Sequence, residues 1–340
     1  MNIVFRVDAT KNIGLGHIMR CYALAEEFVK KKNKCYFLSN IDNEIIYEKI
    51  NKLNIKIMNI YTSPKLKKDL KYLIDFSKNN NVDWVLTDHY DIDSDYIKEI
   101  KNNGFKVLSV DDTSQIYYPS DIVLNQNIGS EKLNFNTNKD TKLLLGPKYV
   151  MLRDELLIRE RKKFKNNVEK ILVTLGGVGY SNLIDKIPKN LKEIIDKNIE
   201  IIVIFPSLNN INEKFHLKIN KFNNSNFRIV FSPENMADLY LESDIAISAG
   251  GISCYELAYF GIPNLIISIA ENQLNIAKEL NEKNVSVYLG KEEEFDFNII
   301  KENILKLIND NSLRRKMSKN GIKLVDGKGK KRIIEVMNKF

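Results

Sequence analysis

The sequence predicts an α/β protein that consists of two doubly wound parallel sheets. Short apolar runs alternate with amphipathic stretches in two successive series, and turn residues separate them. The chain has 340 residues, 44% of them hydrophobic, which is enough for two domains with their own cores. We expect a first Rossmann-like domain at residues 1–158, a second at 168–325, and a last helix at 326–340 that packs back on the first domain.

The first series predicts six strands with four helices between them. The strands are expected at 3–7, 34–38, 55–58, 84–87, 106–110 and 122–124, and the helices at 18–31, 42–53, 66–79 and 94–102. Parallel sheets bind ligands at the carboxyl ends of their strands. Polar residues follow several of these strands, as the rim of an active site would require: Gly16 and His17, then Asp88, His89 and Tyr90, then Asp111 and Asp112, then Asn125 and Asn127.

The second series repeats the plan without a visible sequence repeat. Residues 143–157 and the charged segment 159–170 are interpreted as the connection between the two series. Strands are expected at 171–175, 199–205, 227–231, 244–248, 264–269 and 285–289. Helices are expected from about 181, at 236–243, 254–261 and 272–284, and twice more towards the C-terminus.

The first glycine loop, Gly14-Leu15-Gly16-His17, leads into a predicted helix. Glycines allow a tight turn and a close approach to a ligand, and a helix start offers unpaired N–H groups that suit a phosphate. The histidine is unusual, because phosphate loops do not need one. Its imidazole takes up a proton near neutral pH, so His17 is the leading candidate for a catalytic acid–base residue.

Composition excludes several classes of protein. The net charge is +8, but the lysines are spread along the whole chain and no aromatic residues are interleaved with basic clusters, which argues against nucleic-acid binding. No apolar run is long enough to cross a membrane, and we expect a cytoplasmic, monomeric protein. Cys21, Cys35 and Cys254 lack the spacing of a zinc site or a disulfide framework.

Two glycine turns in the second half are candidate phosphate sites. They contain Gly176 with Gly177 and Gly250 with Gly251, and neither is a dinucleotide fingerprint or a P-loop. Gly250, Gly251 and Ser253 could contact a diphosphate at a helix N-terminus. Glu256 lies one helical turn beyond Ser253 and suits two vicinal ribose hydroxyls. The alternative is that Ser253 and Glu256 form a capping box, and both roles remain open.

The combination of motifs resembles the nucleotide-sugar enzymes with the GT-B fold. It is most similar to the family of UDP-2,4-diacetamido-2,4,6-trideoxy-β-L-altropyranose hydrolases of pseudaminic acid biosynthesis, called PseG, together with the SpsG-like spore coat polysaccharide proteins. The matching stretches are FRVDATKNIGLGHIMRCYALA, LTDHY, LSVDD, GPKYVMLRDEL, VTLGG, ENMADLYLESDIAISAGGISCYELA and ENQ. They span residue 5 to about residue 280.

The resemblance implies two domains that face each other across a cleft and an inverting hydrolysis of a UDP-sugar at its anomeric carbon, without metal or other cofactor. It makes His17 the general base, Tyr90 a second catalytic residue, Glu256 the ribose ligand and Asn272 a sugar ligand. The remaining substrate-binding candidates are Gly16, Arg20 and Gln273, and the UDP-binding candidates are Gly176, Gly177, Met236, Gly250, Gly251 and Ser253.

Several roles stay open at this point. Asp8 and Arg20 could pair or touch substrate, and Asp111 and Asp112 could orient His17 or cap the next helix. His89 and Tyr90 could be structural, His216 is expected at the surface, and Asp91 and Asp93 are expected to be solvated or to cap a helix. A GT-B glycosyltransferase and a non-enzymatic nucleotide-sugar-binding scaffold are the alternatives to a hydrolase.

Overall fold

The computed structural model describes residues 1–10, 13–158, 160–161, 163–176, 183–196, 198–205, 226–294 and 296–340. The chain divides into two compact units. The first contains Met1–Asp154 and Gly327–Phe340, and the second contains Glu155–Asp326. Gly177, His216 and the predicted helix start near residue 181 lie outside the described residues.

The first unit is built on a parallel sheet of seven strands in the order β3-β2-β1-β4-β5-β7-β9. The strands are β1 (Asn2–Val7), β2 (Lys34–Ser39), β3 (Lys56–Asn59), β4 (Trp84–Asp88), β5 (Lys106–Val110), β7 (Ile122–Asn125) and β9 (Lys142–Leu145). Two short strands, β6 (Tyr117–Tyr118) and β8 (Asn136–Thr137), form a separate parallel pair. The central strand β1 pairs with β2 on one side and β4 on the other, so the ends of β1 and β4 lie side by side.

Helices cover both faces of this sheet. They are α1 (Gly16–Lys30), α2 (Glu44–Asn51), α3 (Lys67–Asn79) and α4 (Ser94–Asn102), and the C-terminal helix Gly329–Met337 belongs to the same unit. Side chains alternate along β1: Ile3 and Phe5 join one core, and Val4 joins the other. Both faces of the central strand are therefore buried, as its apolar run predicts.

The second unit contains a parallel sheet of six strands in the order β12-β11-β10-β13-β14-β15. The strands are β10 (Lys170–Thr174), β11 (Glu200–Phe205), β12 (Phe227–Phe231), β13 (Ile245–Ala249), β14 (Asn264–Ser268) and β15 (Ser286–Lys291). Its helices are Leu183–Ile194, Met236–Glu242, Ile252–Phe260, Leu274–Glu282, Phe297–Asn309 and Asn311–Leu324, and a short helix, Asp154–Leu157, lies at the start of the unit.

These sheets confirm the predicted fold class. One interpretation was wrong: the segment 143–157 is not only a connection, because Lys142–Leu145 forms the outermost strand of the first sheet. That strand has four residues and lies at the edge of the sheet, where Leu143 is 42% exposed, so its burial differs from that of the inner strands. None of the helices in the described parts of the chain combines the length and apolarity that a membrane span requires.

Candidate active site

The loop between β1 and α1 places His17 at the second residue of the helix. Gly14 adopts a left-handed conformation with φ of 86°, and its N–H donates to the Thr10 carbonyl over 2.8 Å. This turn needs glycine because other residues rarely adopt positive φ. A Cβ on Gly16 would meet no atom within 4 Å, so the space beside the His17 backbone is open.

His17 is paired with the carboxylate at the end of β4. Its Nδ1 lies 2.7 Å from Asp88 Oδ1, and the residue is 8% exposed. Arg20 Nη2 also lies 3.0 Å from this Nδ1, but it donates to Asp88 Oδ1 over the shorter distance of 2.6 Å. An ionised carboxylate only accepts hydrogen bonds, so we assign the Nδ1 proton to the contact with Asp88. The neutral imidazole then carries its lone pair on Nε2. This is the tautomer that a general base requires.

Arg20 contacts both oxygens of the same carboxylate. Its Nε donates to Asp88 Oδ2 and its Nη2 to Oδ1, both over 2.6 Å, while its Nη1 donates to both oxygens of Asp112 over 2.9 Å. Burial opposes the charge of Asp88, but Arg20 and then His17 outweigh that effect and hold the pKa of this carboxyl well below its usual range. Asp88 therefore stays ionised and keeps a fixed orientation beside His17.

The contacts of Arg20 decide two of the open alternatives. Arg20 does not pair with Asp8; Asp8 accepts instead from Arg6 Nη1 over 2.5 Å. Asp112 contacts the guanidinium of Arg20, and Asn127 Nδ2 donates to Asp112 over 2.8 Å. His17 is therefore oriented by Asp88 and not by Asp111 or Asp112, as the sequence had suggested. Asp112 contacts Arg20, which in turn contacts Asp88.

Asp111 has a local structural role. It accepts the backbone N–H groups of Thr113 and Ser114 over 2.7 and 2.6 Å, and the Thr113 hydroxyl over 3.0 Å. These bonds close the turn that follows β5. The carboxylate therefore stabilises a loop and does not cap a helix, contrary to the second interpretation of this position.

The residues that follow Asp88 have different surroundings. Tyr90 is 52% exposed, and its ring meets the His17 ring edge to face at a centroid distance of 4.8 Å. His89 accepts the Asp91 N–H at Nδ1 over 3.0 Å, and its Nε2 lies 3.2 Å from Asp8 Oδ2. Asp93 caps α4 by accepting the Tyr96 N–H over 2.8 Å, as expected. Of the two aromatic rings, only that of Tyr90 borders His17.

Asp88 is the residue that the sequence interpretation noticed but did not assign. It belongs to the LTDHY stretch and follows an apolar strand, which is the position expected of a site residue. What identifies its role is the strand order. Because β4 pairs directly with β1, its carboxyl end lies beside the loop that carries His17, whereas β5 is one strand further out.

The second unit gathers its candidate residues at the carboxyl edge of its own sheet. Gly176 follows β10, Met236 follows β12, the Gly250 turn follows β13 and Asn272 follows β14. Gly176 has φ of 90°, and a Cβ there would meet no atom within 4 Å. Asn272 is exposed on the turn Glu271–Gln273.

The Gly250 turn is held by Gln273. The Gln273 Oε1 accepts the backbone N–H groups of Gly250 and Ile269, each over 3.1 Å. A Cβ on Gly250 would lie 2.9 Å from Gln273 Cβ and 3.0 Å from its carbonyl oxygen. The side-chain oxygen of Gln273 therefore positions the turn, and any contact of this residue with a substrate would come from its amide nitrogen.

The helix Ile252–Phe260 begins differently from the predicted one. Its N-cap is Gly251, so Ser253 is the second helical residue and the predicted capping box with Glu256 does not form. Glu256 is 4% exposed and accepts the Tyr240 hydroxyl over 2.6 Å. A Cβ on Gly251 would meet no atom within 4 Å. The helix start thus offers open backbone N–H groups with a buried carboxylate one turn further on.

Within the described ranges, no group of three histidine, cysteine, aspartate or glutamate side chains is arranged so that it could hold a metal ion.

Comparisons with known proteins identify relatives along the whole chain. Residues 170–337 match the glycosyltransferase family 28 C-terminal domain. The chain is 26% identical to the spore coat polysaccharide biosynthesis protein SpsG of Bacillus subtilis, over 99% of this chain and 98% of SpsG. It is 29% identical to the UDP-2,4-diacetamido-2,4,6-trideoxy-β-L-altropyranose hydrolase of Campylobacter jejuni, over 74% of this chain and 86% of that protein.

The solved structures agree on the fold. MurG of Acinetobacter baumannii superposes with a TM-score of 0.69 at 14% identity, covering 100% of this chain and 99% of MurG. At this identity the likeness concerns the fold alone, and it confirms the predicted GT-B class. The chain thus has the GT-B fold, is similar in sequence to SpsG and to the UDP-diacetamido-altropyranose hydrolase, and matches the glycosyltransferase family 28 C-terminal domain over residues 170–337.

Proposed function

We propose that this protein hydrolyses a UDP-sugar of the 2,4-diacetamido-2,4,6-trideoxy class, with His17 as general base for the attack of water on the anomeric carbon. The observation that carries the proposal is the contact of 2.7 Å between His17 Nδ1 and Asp88 Oδ1. It leaves Nε2 as the proton acceptor, and Arg20 keeps the carboxylate in place.

The chemistry needs one base and a stabilised leaving group. His17 removes a proton from water while the bond between C1 and the UDP oxygen breaks, and attack from the opposite face inverts the anomeric centre. UDP leaves with the bonding electron pair, and its growing charge is stabilised by backbone N–H groups at a helix start. Gly176, Gly251 and Ser253 are our candidates for that role, and Gly250, whose N–H donates to Gln273, shapes the turn that presents them. Asp88 balances the charge on the protonated His17.

The nucleotide is assigned to the second unit. We propose that Glu256 binds the ribose hydroxyls and that the backbone near Met236 holds the uracil. The family match over 170–337 and the similarity to the UDP-sugar hydrolase of Campylobacter jejuni support a UDP-sugar as the substrate. Asn272 is proposed to contact the sugar, and Tyr90 borders the catalytic histidine.

A glycosyltransferase is the second candidate, because the relative that covers nearly the whole chain is a polysaccharide biosynthesis protein. In that reaction an acceptor hydroxyl takes the place of water, and His17 serves as base in the same way. The two candidates therefore differ in the acceptor and not in the base.

The test is UDP release from a panel of UDP-sugars, with EDTA present and no acceptor added. The hydrolase proposal predicts release of UDP from the diacetamido sugar and a free sugar whose first-formed anomer, followed by NMR, is inverted. Release that depends on an added saccharide acceptor would support the transferase and contradict the hydrolase. Loss of release on adding EDTA would contradict the metal-free mechanism.

A further inference from the structure

A cavity of about 130 Å³ lies within the first unit, beside the proposed catalytic pair. It opens at the carboxyl ends of β4 and β5, between α4 and the turn that follows β5. Tyr90 forms part of its wall, and the ring of Tyr90 also contacts His17 at a centroid distance of 4.8 Å. A group attached to a sugar whose C1 lies at His17 could therefore enter this cavity.

Part of the cavity lining is aliphatic, and we call this part the aliphatic wall. It consists of Ile92, Ile97, Val110 and Ile116, and Ile97 is buried in α4. Aliphatic surface of this kind favours a methyl group over a hydroxyl, because a hydroxyl would lose its hydrogen bonds to water there.

Other residues of the cavity lining carry neutral polar groups. The Thr87 hydroxyl donates to Ser109 Oγ over 3.1 Å, and its oxygen has lone pairs that can accept an N–H. Gln115 lies at the exposed mouth and offers both an amide donor and an amide acceptor. An uncharged amide would find partners among these groups.

The ionisable residues at the cavity already have partners. Asp111 is saturated by the Thr113 and Ser114 donors, and both ring nitrogens of His89 are in contact with Asp91 and Asp8. Burial and then the neighbouring Asp111 raise the pKa of Tyr118, so its phenol is neutral. Among the described lining residues there is no lysine or arginine. The cavity is therefore unsuited to a phosphate or a carboxylate.

We propose that this cavity is the specificity pocket for one N-acyl substituent of the sugar, with the methyl group against the aliphatic wall and the amide N–H on Thr87. The proposal rests on the proposed UDP-sugar activity and adds the part of the substrate that the enzyme selects. The cavity volume of about 130 Å³ leaves room for a group as small as acetamido.

The experiment measures binding by calorimetry to the His17→Ala protein, so that substrate is not consumed. The ligands are UDP, the UDP-2,4-diacetamido-2,4,6-trideoxy sugar, and two analogues in which one or the other acetamido group is a hydroxyl. We expect one analogue to bind about tenfold more weakly than the diacetamido sugar, for the loss of a buried methyl and a hydrogen bond. The other analogue should bind with the same affinity as the diacetamido sugar.

Two variants fill the cavity, and one serves as a matched control. Ile116→Trp occupies the aliphatic wall and Gln115→Trp narrows the exposed mouth, where a large side chain should not disturb folding. Both should lower the affinity for the diacetamido sugar about tenfold and leave the affinity for UDP unchanged. Ile45→Trp makes a similar change at a site that is 54% exposed and outside the cavity lining. The protein with this substitution should bind every ligand as the His17→Ala protein does.

The outcomes separate the two proposals. Equal binding of all three sugars, with UDP still bound, would overturn the pocket and leave the hydrolase proposal standing. Retention of full sugar affinity in both filled variants would do the same. If the His17→Ala protein does not bind UDP, both the proposed function and the proposed pocket are overturned.

Discussion

The carboxyl edges of the two sheets use different chemistry, although their strands are laid out alike. In the first unit the edge is built from buried charges: His17, Asp88, Arg20 and Asp112 form one continuous network. In the second unit the edge is built from glycine turns, and Gln273 holds the Gly250 turn through a neutral amide. A network of charged side chains fixes a proton on one particular atom, here His17 Nδ1. Open backbone N–H groups instead suit an anionic ligand.

The comparison predicts that variants of the first edge lower kcat and that variants of the second edge raise KM. The largest effect is expected for His17→Ala, which should lower kcat for UDP release by about 10²–10⁴-fold through loss of the general base. Steady-state kinetics on the diacetamido sugar measures it. Turnover close to that of the parent protein would remove His17 from the mechanism.

Asp88→Asn should lower kcat by about 10–100-fold, because the neutral amide no longer fixes the His17 tautomer or balances its charge. The same change tests stability against pH. The folded-state pKa of Asp88 is lowered, so its ionised form stabilises the fold above its usual pKa of about 4, and this contribution is lost as the pH falls from there. Unfolding at pH 7 and pH 3 should show a smaller pH difference in the Asn variant, and an unchanged difference would contradict the assignment.

Gly250→Ala should destabilise the second unit by about 1–3 kcal/mol, because the added Cβ would overlap with Gln273. Gly251→Ala is the matched control, since a Cβ there meets no atom within 4 Å. It should leave stability unchanged within about 0.5 kcal/mol and raise KM if the diphosphate lies against this backbone. Denaturant unfolding and UDP titration measure the two effects, and equal stability losses would contradict the packing argument.

Glu256→Ala should raise KM about tenfold with little change in kcat, since a ribose contact is made equally in the ground and transition states. Tyr240→Phe removes only the hydroxyl that donates to Glu256 and should have a smaller effect on KM. A large fall in kcat for either variant would contradict the prediction that the second edge affects only KM.

The sequence was sufficient for the fold class and for the positions where site residues cluster. Periodicity revealed the strands, and the strand-end rule pointed to Asp88, Asp112 and Asn127 together. It could not say which carboxylate reaches His17, because that depends on the pairing of β4 with β1, which is decided by packing over the whole sheet. It also misplaced the start of the helix Ile252–Phe260 by two residues, which was enough to suggest a capping box that does not form.

The first unit contains the C-terminal segment Gly327–Phe340, and this affects the order in which the two units can fold. Lys330 is 2% exposed and bonds to Glu26 over 3.2 Å and to Asp154 over 2.9 Å, and Gly329 packs against the Val150 carbonyl so closely that a Cβ would lie 2.2 Å from its oxygen. The second unit is one continuous stretch, Glu155–Asp326, while the first needs Gly327–Phe340 to be complete. During synthesis on the ribosome the first unit therefore cannot form the contact between Glu26 and Lys330 until residue 330 has been made, so it cannot complete its folding ahead of the second unit in the usual N-terminal-first order.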